Sequence, residues 1–515
     1  MSRGLLRSSL IVSLFTFLSR IFGVVRDAIF AHYLGDSAAT DAFYIAFKIP
    51  NLSRRIFAEG AFAQAFVPVL SEYQENKTKE ETQLFLQNIY GTLGGILILI
   101  SSVGVITAPV IAFIFAPGWF FDNPESYETT SELLRFTVPY MFFISMVACA
   151  GAVLNTHNRF AVPAFTPVLL NICLISATLF IAPYFDKPQH GVAFGVLIAG
   201  IVQLLFQLPF LIRVGALVKP VWGWGYSGVQ KVIKLMIPSI IGSSATQINL
   251  LIGSILASTL VSGSVSWLYY SDRLMEFPVG LFGIALGTVI LPKLSKQFAS
   301  SSEKGFSETL DWAIKLTLTI SIPSVVALII LAAPMIATIF GHGKVDLRGV
   351  QNSAASLIAY AFGVMGFIMV KIFSPAFYAR KDTKTPMRFG LISVAINIFA
   401  SIVLIFFLAH VGLALATSLA AISNAALLYS ALIKRGIYQS ACKWRLFFIQ
   451  LFIANFILAI VLLFVPQIEE WMSWTLWFRV KMMCAVVLGS ALIYFFVLIV
   501  VGLKPKELLG VASEQ

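Results

Sequence analysis

Long apolar runs, each closed by a short polar or charged join, recur from one end of the chain to the other. Runs able to cross a hydrocarbon core of about 30 Å, roughly 20 residues each, predict transmembrane helices. About fourteen spans are expected, near residues 8–33, 37–70, 85–115, 132–154, 161–184, 190–213, 230–260, 266–292, 313–340, 353–379, 387–410, 411–433, 446–466 and 477–502. No join is long or polar enough for a soluble domain, so the expected fold class is an all-α polytopic membrane protein. The first run, LIVSLFTFL, follows Arg3 and Arg7 as a signal peptide would. Arg20 interrupts it and no small-residue cleavage site follows, so it is read as the first permanent helix.

Composition agrees: 58% of the 515 residues are hydrophobic and 12% charged, against roughly 25% charged in a soluble protein. The net charge of +12 raises the question of nucleic acid, and the positions of the charges answer it. Basic residues mark alternate joins: Arg3 and Arg7, then Lys77 and Lys79, Arg159, Arg213 and Lys219, Lys293 with Lys296 and Lys304, Arg380 to Arg388, Lys434 to Arg445, and Lys504 with Lys506. The intervening joins are acidic or neutral, with GHGKVDLRG a mild exception. By the positive-inside rule both termini are expected in the cytoplasm and the number of spans is even. No basic patch interleaved with aromatics lies outside the spans, so nucleic acid is not an expected partner, whereas anionic membrane lipid is.

The two halves resemble each other. GVAFGVLIAGIVQLLFQLPFLIR from Gly191 matches GLALATSLAAISNAALLYSALIKR from Gly412, VPVLSEY around Pro68 matches LPKLSKQ around Pro292, and NRFAVP ending at Pro163 matches KDTKTP ending at Pro386. The offsets all lie between 221 and 224 residues. About six spans separate equivalent points, so the repeats share one orientation, as in transporters built from parallel repeats. The expected organisation is a lobe of spans 1–6 over residues 1–220, a second of spans 7–12 over 221–440, a central cavity, and a terminal helix pair over 441–515.

Charge then appears where it is most expensive, since an ionisable side chain inside a span normally faces a partner, a cavity or a substrate. Span 1 carries Arg20, Arg26 and Asp27, with Gly23 permitting local bending. Span 2 carries Asp41, Lys48, Arg54, Arg55 and Glu59; Asp41, Lys48, Arg55 and Glu59 fall on one stripe of an unbroken helix, expected to face water. Pro50 would kink it. Span 8 carries Asp272, Arg273 and Glu276, the acids spaced to hold the arginine between them, and Pro278 would break the helix nearby. The competing readings are a structural Arg–Asp pair in span 1, solvated interfacial charges in span 2 and an intrahelical ion pair in span 8. Six cations against five anions leave the sign of the substrate open. Five of the six cations are arginine, whose planar fork suits phosphate or carboxylate, and this favours an anionic substrate.

Other chemistry is sparse. The five histidines are scattered, with no HExxH, CxxC or GxxxxGK[ST] arrangement, so no metal, cofactor, ATP site or catalytic function is expected. Cys149, Cys173, Cys442 and Cys484 are too dispersed for a disulfide framework. Two stretches, RDAIFAHYLGDSAATDAFYIAFKIPNLSRRIFAEGAFAQAFVP and SVSWLYYSDRLMEFPVGLFGIALGTVILPKLS, resemble the signatures of the MurJ (MviN) family of bacterial lipid II flippases. The resemblance covers essentially the whole chain. It implies the fold of the multidrug/oligosaccharidyl-lipid/polysaccharide (MOP) exporter superfamily, an inner-membrane location, and alternating access for a polyprenyl-pyrophosphate glycolipid used in peptidoglycan synthesis. It further implies that Arg20, Arg26 and Arg273 hold the pyrophosphate and head group, that Asp41, Asn51, Arg54 and Glu59 belong to a functional motif in span 2, and that spans 13 and 14 form a groove for the lipid tail. Function as a monomer within reach of cell-wall synthesis enzymes is expected. The alternatives are an ion-coupled drug or cation exporter of the same superfamily, marked by uncompensated acids, and a membrane enzyme acting on polyprenyl lipids, marked by metal-binding acidic clusters.

Overall fold

The computed structural model describes residues 3–57, 61–440, 442 and 444–503; within these, the side chains of 3–10, 53–57, 61, 238–248, 284–285 and 288 lie outside the description, as do Glu59 and the side chains of Arg54 and Arg55. Among the described residues every regular element is helical and none is a strand. In order the helices are α1 (Arg3–Leu34), α2 (Ala38–Phe57), α3 (Ala61–Asn76), α4 (Lys79–Ile106), α5 (Ala108–Phe115), α6 (Pro117–Asp122), α7 (Pro124–Thr137), α8 (Tyr140–Thr156), α9 (Ala161–Ser176) and α10 (Pro188–Arg213). There follow α11 (Ser227–Ala257), α12 (Ser264–Pro278), α13 (Ile284–Ala299), α14 (Glu303–Ile330), α15 (Ala332–Ile339), α16 (Leu347–Ala379), α17 (Lys384–Lys434), α18 (Trp444–Leu463), α19 (Ile468–Ser473) and α20 (Leu476–Val500). Nine helical segments of the described chain are long and apolar enough to cross a membrane. One of the nine, α17, is bent back at Ala409, whose φ of 47° and ψ of −127° leave the helical region. The fold is that of an all-helical membrane protein.

Local chemistry sets the ends of several helices. Thr78 and Glu81 form a reciprocal capping box at the start of α4: the Thr78 hydroxyl accepts from Glu81 N–H at 3.2 Å and the Glu81 carboxylate accepts from Thr78 N–H at 3.0 Å. Ser302 caps α14 through Gly305 N–H at 3.2 Å, and Asp346 caps α16 through Gly349 N–H at 2.8 Å. Prolines disturb less than the sequence predicts. Pro50 is accommodated inside α2, and Pro278 is followed by a π-helical turn, Val279–Gly283, after which the helix resumes as α13. A widened turn lets the chain absorb the missing proline N–H without a break.

The internal duplication reappears in the element boundaries. Lys79 to Glu303 and Ile106 to Ile330, the ends of α4 and α14, are both 224 residues apart, and so are the ends of α5 and α15. The α7–α8 segment, 124–156, matches α16, 347–379, with an offset of 223 at both ends, and α9 and α17 begin at 161 and 384, again 223 apart.

Contacts group the chain into two compact units, Met1–Ser266 and Trp267–Gln515. This packing boundary falls later than the boundary expected from sequence at 220/221, and α11 packs on α3 and α4. In the first unit α1 lies on α9, α9 and α8 on α10, and α2 on α7 and α8. An aromatic core of Phe62, Phe66, Phe85 and Tyr73 stacks in sequence at centroid distances of 5.1, 6.0 and 4.4 Å. In the second unit α16 packs along both halves of α17 and against α14, and α18 joins α14 to α20. A Cβ on Gly366 of α16 would stand 2.7 Å from the Ala421 backbone of α17. Small residues bring membrane helices together in this way where no hydrophobic driving force between helices is available.

Candidate functional site

On α1 the guanidinium of Arg26 is buried, 4% exposed, and fully oriented. Its Nε and Nη2 donate to Asp27 Oδ1 at 2.9 and 2.6 Å, and Nη1 donates to Asn171 Oδ1 of α9 at 2.9 Å. Asn171 is itself fixed, its Nδ2 donating to Ser19 O at 3.0 Å. The guanidinium centre lies 5.7 Å from the Phe30 ring and 6.0 Å from the Phe47 ring. Asp27, 2% exposed, neutralises the arginine, and the aromatic rings exclude water from the pair. Arg20, two turns earlier on the same helix, is exposed. The structure therefore joins Arg26 to Asp27 and to Asn171, a partner that sequence spacing could not have named.

The predicted water-facing stripe of α2 is corrected at Asp41, which is 2% exposed. Its carboxylate accepts from Gly263 N–H at 2.7 Å, Ser266 N–H at 2.8 Å and Ser266 Oγ at 2.6 Å. These are donors at the start of α12, where helix geometry leaves N–H groups without intrahelical partners and where negative charge is favoured. Asp41 thus caps another helix, with Gly263 at φ 97° turning the chain into place. Seven residues on, Lys48 Nζ donates to Ser254 Oγ of α11 at 2.9 Å. The seven-residue spacing does put Asp41 and Lys48 to common use, gripping the segment 254–266, but through serines and main chain. Asn51 donates to Phe47 O at 3.2 Å within its own helix.

On α12, Arg273 is part-exposed and held by an unforeseen neighbour. Its Nε and Nη2 donate to Tyr269 Oη at 3.2 and 3.0 Å, its guanidinium centre lies 5.1 Å from the Tyr269 ring, and Glu276 is 3.5 Å from Nη1. Glu276 thus stands beside Arg273 as the spacing predicts, and the Tyr269 phenol joins it. Asp272 is half-buried beside it. The Tyr269 hydroxyl and ring orient the guanidinium without neutralising it, and its part-exposed planar fork suits an anionic ligand.

A further buried arginine escaped the sequence reading. Arg479 of α20, 8% exposed, donates from Nε to Trp474 O at 2.9 Å and from Nη1 to Ala337 O at 3.2 Å and Gly341 O at 2.7 Å, and from Nη2 to Met472 O. Ala337 and Gly341 sit at the end of α15, so Arg479 fills the carbonyl acceptors that a helix C-terminus leaves open. Trp471 Nε1 donates to Thr338 Oγ1 at 3.0 Å beside it. The signal was available: Arg479 stands in a span with no acid near it in sequence. Among the described residues no three His, Cys, Asp or Glu side chains converge as a metal site would require.

A model of the family described as Lipid II flippase MurJ matches residues 30–482. A Vibrio cholerae protein described as a probable lipid II flippase MurJ is 42% identical over 514 residues, with 98% of each chain covered. A Burkholderia cenocepacia protein described as lipid II flippase MurJ is 38% identical, with 97% of this chain and 98% of the relative covered. A solved structure described as lipid II flippase MurJ in an inward closed conformation superposes with a TM-score of 0.78 at 28% identity, covering 96% and 98% of the two chains. An inward-facing multidrug transporter of the MOP superfamily, at 14% identity, shares the fold with a TM-score of 0.68 over 84% of this chain and 99% of its own. Matches that run end to end in sequence, on a transporter fold that carries oriented intramembrane arginines, place this chain in the lipid II flippase MurJ family.

Proposed function

We propose that the protein moves lipid II, an undecaprenyl-pyrophosphate-linked disaccharide-peptide, from the cytoplasmic to the periplasmic leaflet of the bacterial inner membrane by alternating access. The observation that carries this reading is the end-to-end similarity to relatives described as lipid II flippases. In this reading Arg20, Arg26, Arg54 and Arg273 hold the pyrophosphate and head group with Asn51. Asp27, Asp41, Lys48, Arg55, Glu59, Asp272 and Glu276 orient them or set the charge of the cavity. The geometry of Asp27 against Arg26 and of Glu276 against Arg273 supports the orienting roles. Both termini face the cytoplasm, residues 1–220 and 221–440 are the two repeated lobes, and 441–515 supplies a groove for the polyprenyl tail. The protein acts as a monomer without ATP or a catalytic step. Carrying an anionic head group outward across an inside-negative potential gains about 2.3 kcal/mol per charge per 100 mV, so the potential or an ion gradient can drive export. The drug-exporter alternative rests on relatives whose 14% identity speaks to the fold alone.

The test is replacement of the native gene by Arg20→Ala, Arg26→Ala or Arg273→Ala, with membrane levels measured. Loss of growth at normal protein level, with lipid II held on the cytoplasmic leaflet, is expected for each. Full rescue by all three would remove the arginines from the site.

A further inference from the structure

The segment joining α10 to α11, residues 214–226, reads VGALVKPVWGWGY, and 216–223 form no helix. Instead the chain runs extended along α4. Val221 N–H donates to Gln87 O at 3.0 Å, and Gly223 N–H donates to Thr92 Oγ1 at 3.0 Å. Its seat exists because side chains are missing: a Cβ on Gly91 would come within 2.1 Å of Val221 O, and one on Gly95 within 2.8 Å of the Trp222 ring. A backbone seated this firmly nevertheless turns its largest side chains outward. Trp222 is 61% and Trp224 48% exposed, with ring planes 13° apart and centroids 6.4 Å apart.

The position of the pair along α4 is informative. From Gly95, where Trp222 lies, α4 continues to Ile106 and α5 carries the chain on to Phe115. The exposed apolar side chains of this stretch begin one turn past Gly95, at Ile98 and Leu99, and continue through Ile106, Val110, Phe113 and Ile114. Exposed Phe120 and Phe121 stand just beyond the far end. Trp222 therefore sits at one edge of an apolar band, where the amphipathic indole ring is most favourably placed. Along the sequence the charge around it has one sign, although Glu72 of α3 pairs with Lys231 at the start of α11. No Asp or Glu occurs between Asp186 and Asp272, while Arg213 and Lys219 flank the segment and are exposed.

We propose that residues 217–224 form an interfacial anchor, with Trp222 and Trp224 inserted between acyl chains and head groups of the bilayer and with Lys219 and Arg213 on the phosphates of anionic phospholipids. The glycine seat on α4 holds the anchor at fixed depth, so the join between the two repeats is tied to one leaflet. The anchor stands whatever substrate the protein carries.

The test uses the full-length protein in nanodiscs of phosphatidylcholine with or without phosphatidylglycerol. Subtracting the emission of the Trp222→Phe/Trp224→Phe protein isolates this pair from the other seven of the nine tryptophans. A phenyl ring can still rest over Gly95, and each single substitution supplies the same difference signal if the double variant fails to fold. The difference emission is expected to be quenched several-fold more by lipids brominated near the head-group end of the chain than by lipids brominated near the terminal methyl, and only weakly by acrylamide. Acrylamide quenching at the level of a free indole, without bromolipid quenching, would overturn the proposal. Phosphatidylglycerol should shift the difference emission to the blue, and Arg213→Gln/Lys219→Gln should reduce that shift at least twofold; an unchanged shift would overturn the assignment of the two cations.

Discussion

At the residue scale, buried charge is what distinguishes this chain, and the structure divides it by kind of partner. Arg26 has an acid beside it, Arg273 has a phenol and an acid, Arg479 has carbonyls, and Asp41 has N–H groups. Asp41→Ala strips the donors at the start of α12 of their acceptor; since a hydrogen bond to a charged group contributes about 1.5–3 kcal/mol, a loss of about 2–4 kcal/mol is expected, read as a lowered unfolding midpoint in detergent. Asp41→Asn, which keeps one acceptor, should lose about half of that. Tyr269→Phe should leave the unfolding midpoint within about 0.5 kcal/mol, as substitutions away from buried networks do, but remove the two Tyr269 hydrogen bonds from the Arg273 guanidinium and slow lipid II transport several-fold; unchanged transport would count against Tyr269 as the residue that positions Arg273. Outside the spans, Asp382 is held below the usual carboxylate range by hydrogen bonds from Thr385 and by Arg435. A depressed carboxyl stabilises the fold above its unfolded value and loses that contribution as pH falls through its folded value. The difference in unfolding midpoint between the parent and Asp382→Asn should therefore be present at pH 7 and shrink as pH falls below the ordinary carboxyl value of about 3.9.

At the element scale, much of the fold was legible because a span has a length and an apolar signature that no soluble element shares. The break inside α17 falls at Ala409, where sequence placed the end of one span and the start of the next. Asp41 was expected to face water and is instead buried: spacing says which residues share a face, not what covers that face. Asn171, Ser254 and Ser266 carry no charge to draw attention and lie far away in sequence, so tertiary partners of this sort are beyond pattern reading. Arg479 closes the end of α15 onto α20, and Arg479→Ala should leave several carbonyls without donors. The expected consequence is faster hydrogen exchange in α15 and α20 and a loss of about 2–4 kcal/mol, the cost of stranding buried acceptors at about 1–3 kcal/mol each with partial relaxation.

For the whole molecule, repetition is the organising fact. Helix ends recur at offsets of 223 and 224 residues, where sequence identity between the halves is confined to short stretches. Charge alternation between joins supplies the complementary information about sidedness, and a carboxyl-terminal fluorescent fusion should glow while an alkaline phosphatase fusion at the same end stays inactive. The central claim concerns transport, and the most direct measurement is the leaflet distribution of lipid II in cells whose only copy is this protein or its Arg273→Ala variant at equal membrane level. The account predicts lipid II reaching the outer leaflet with the parent and accumulating on the cytoplasmic leaflet with the variant. Equal outward delivery by both would contradict it.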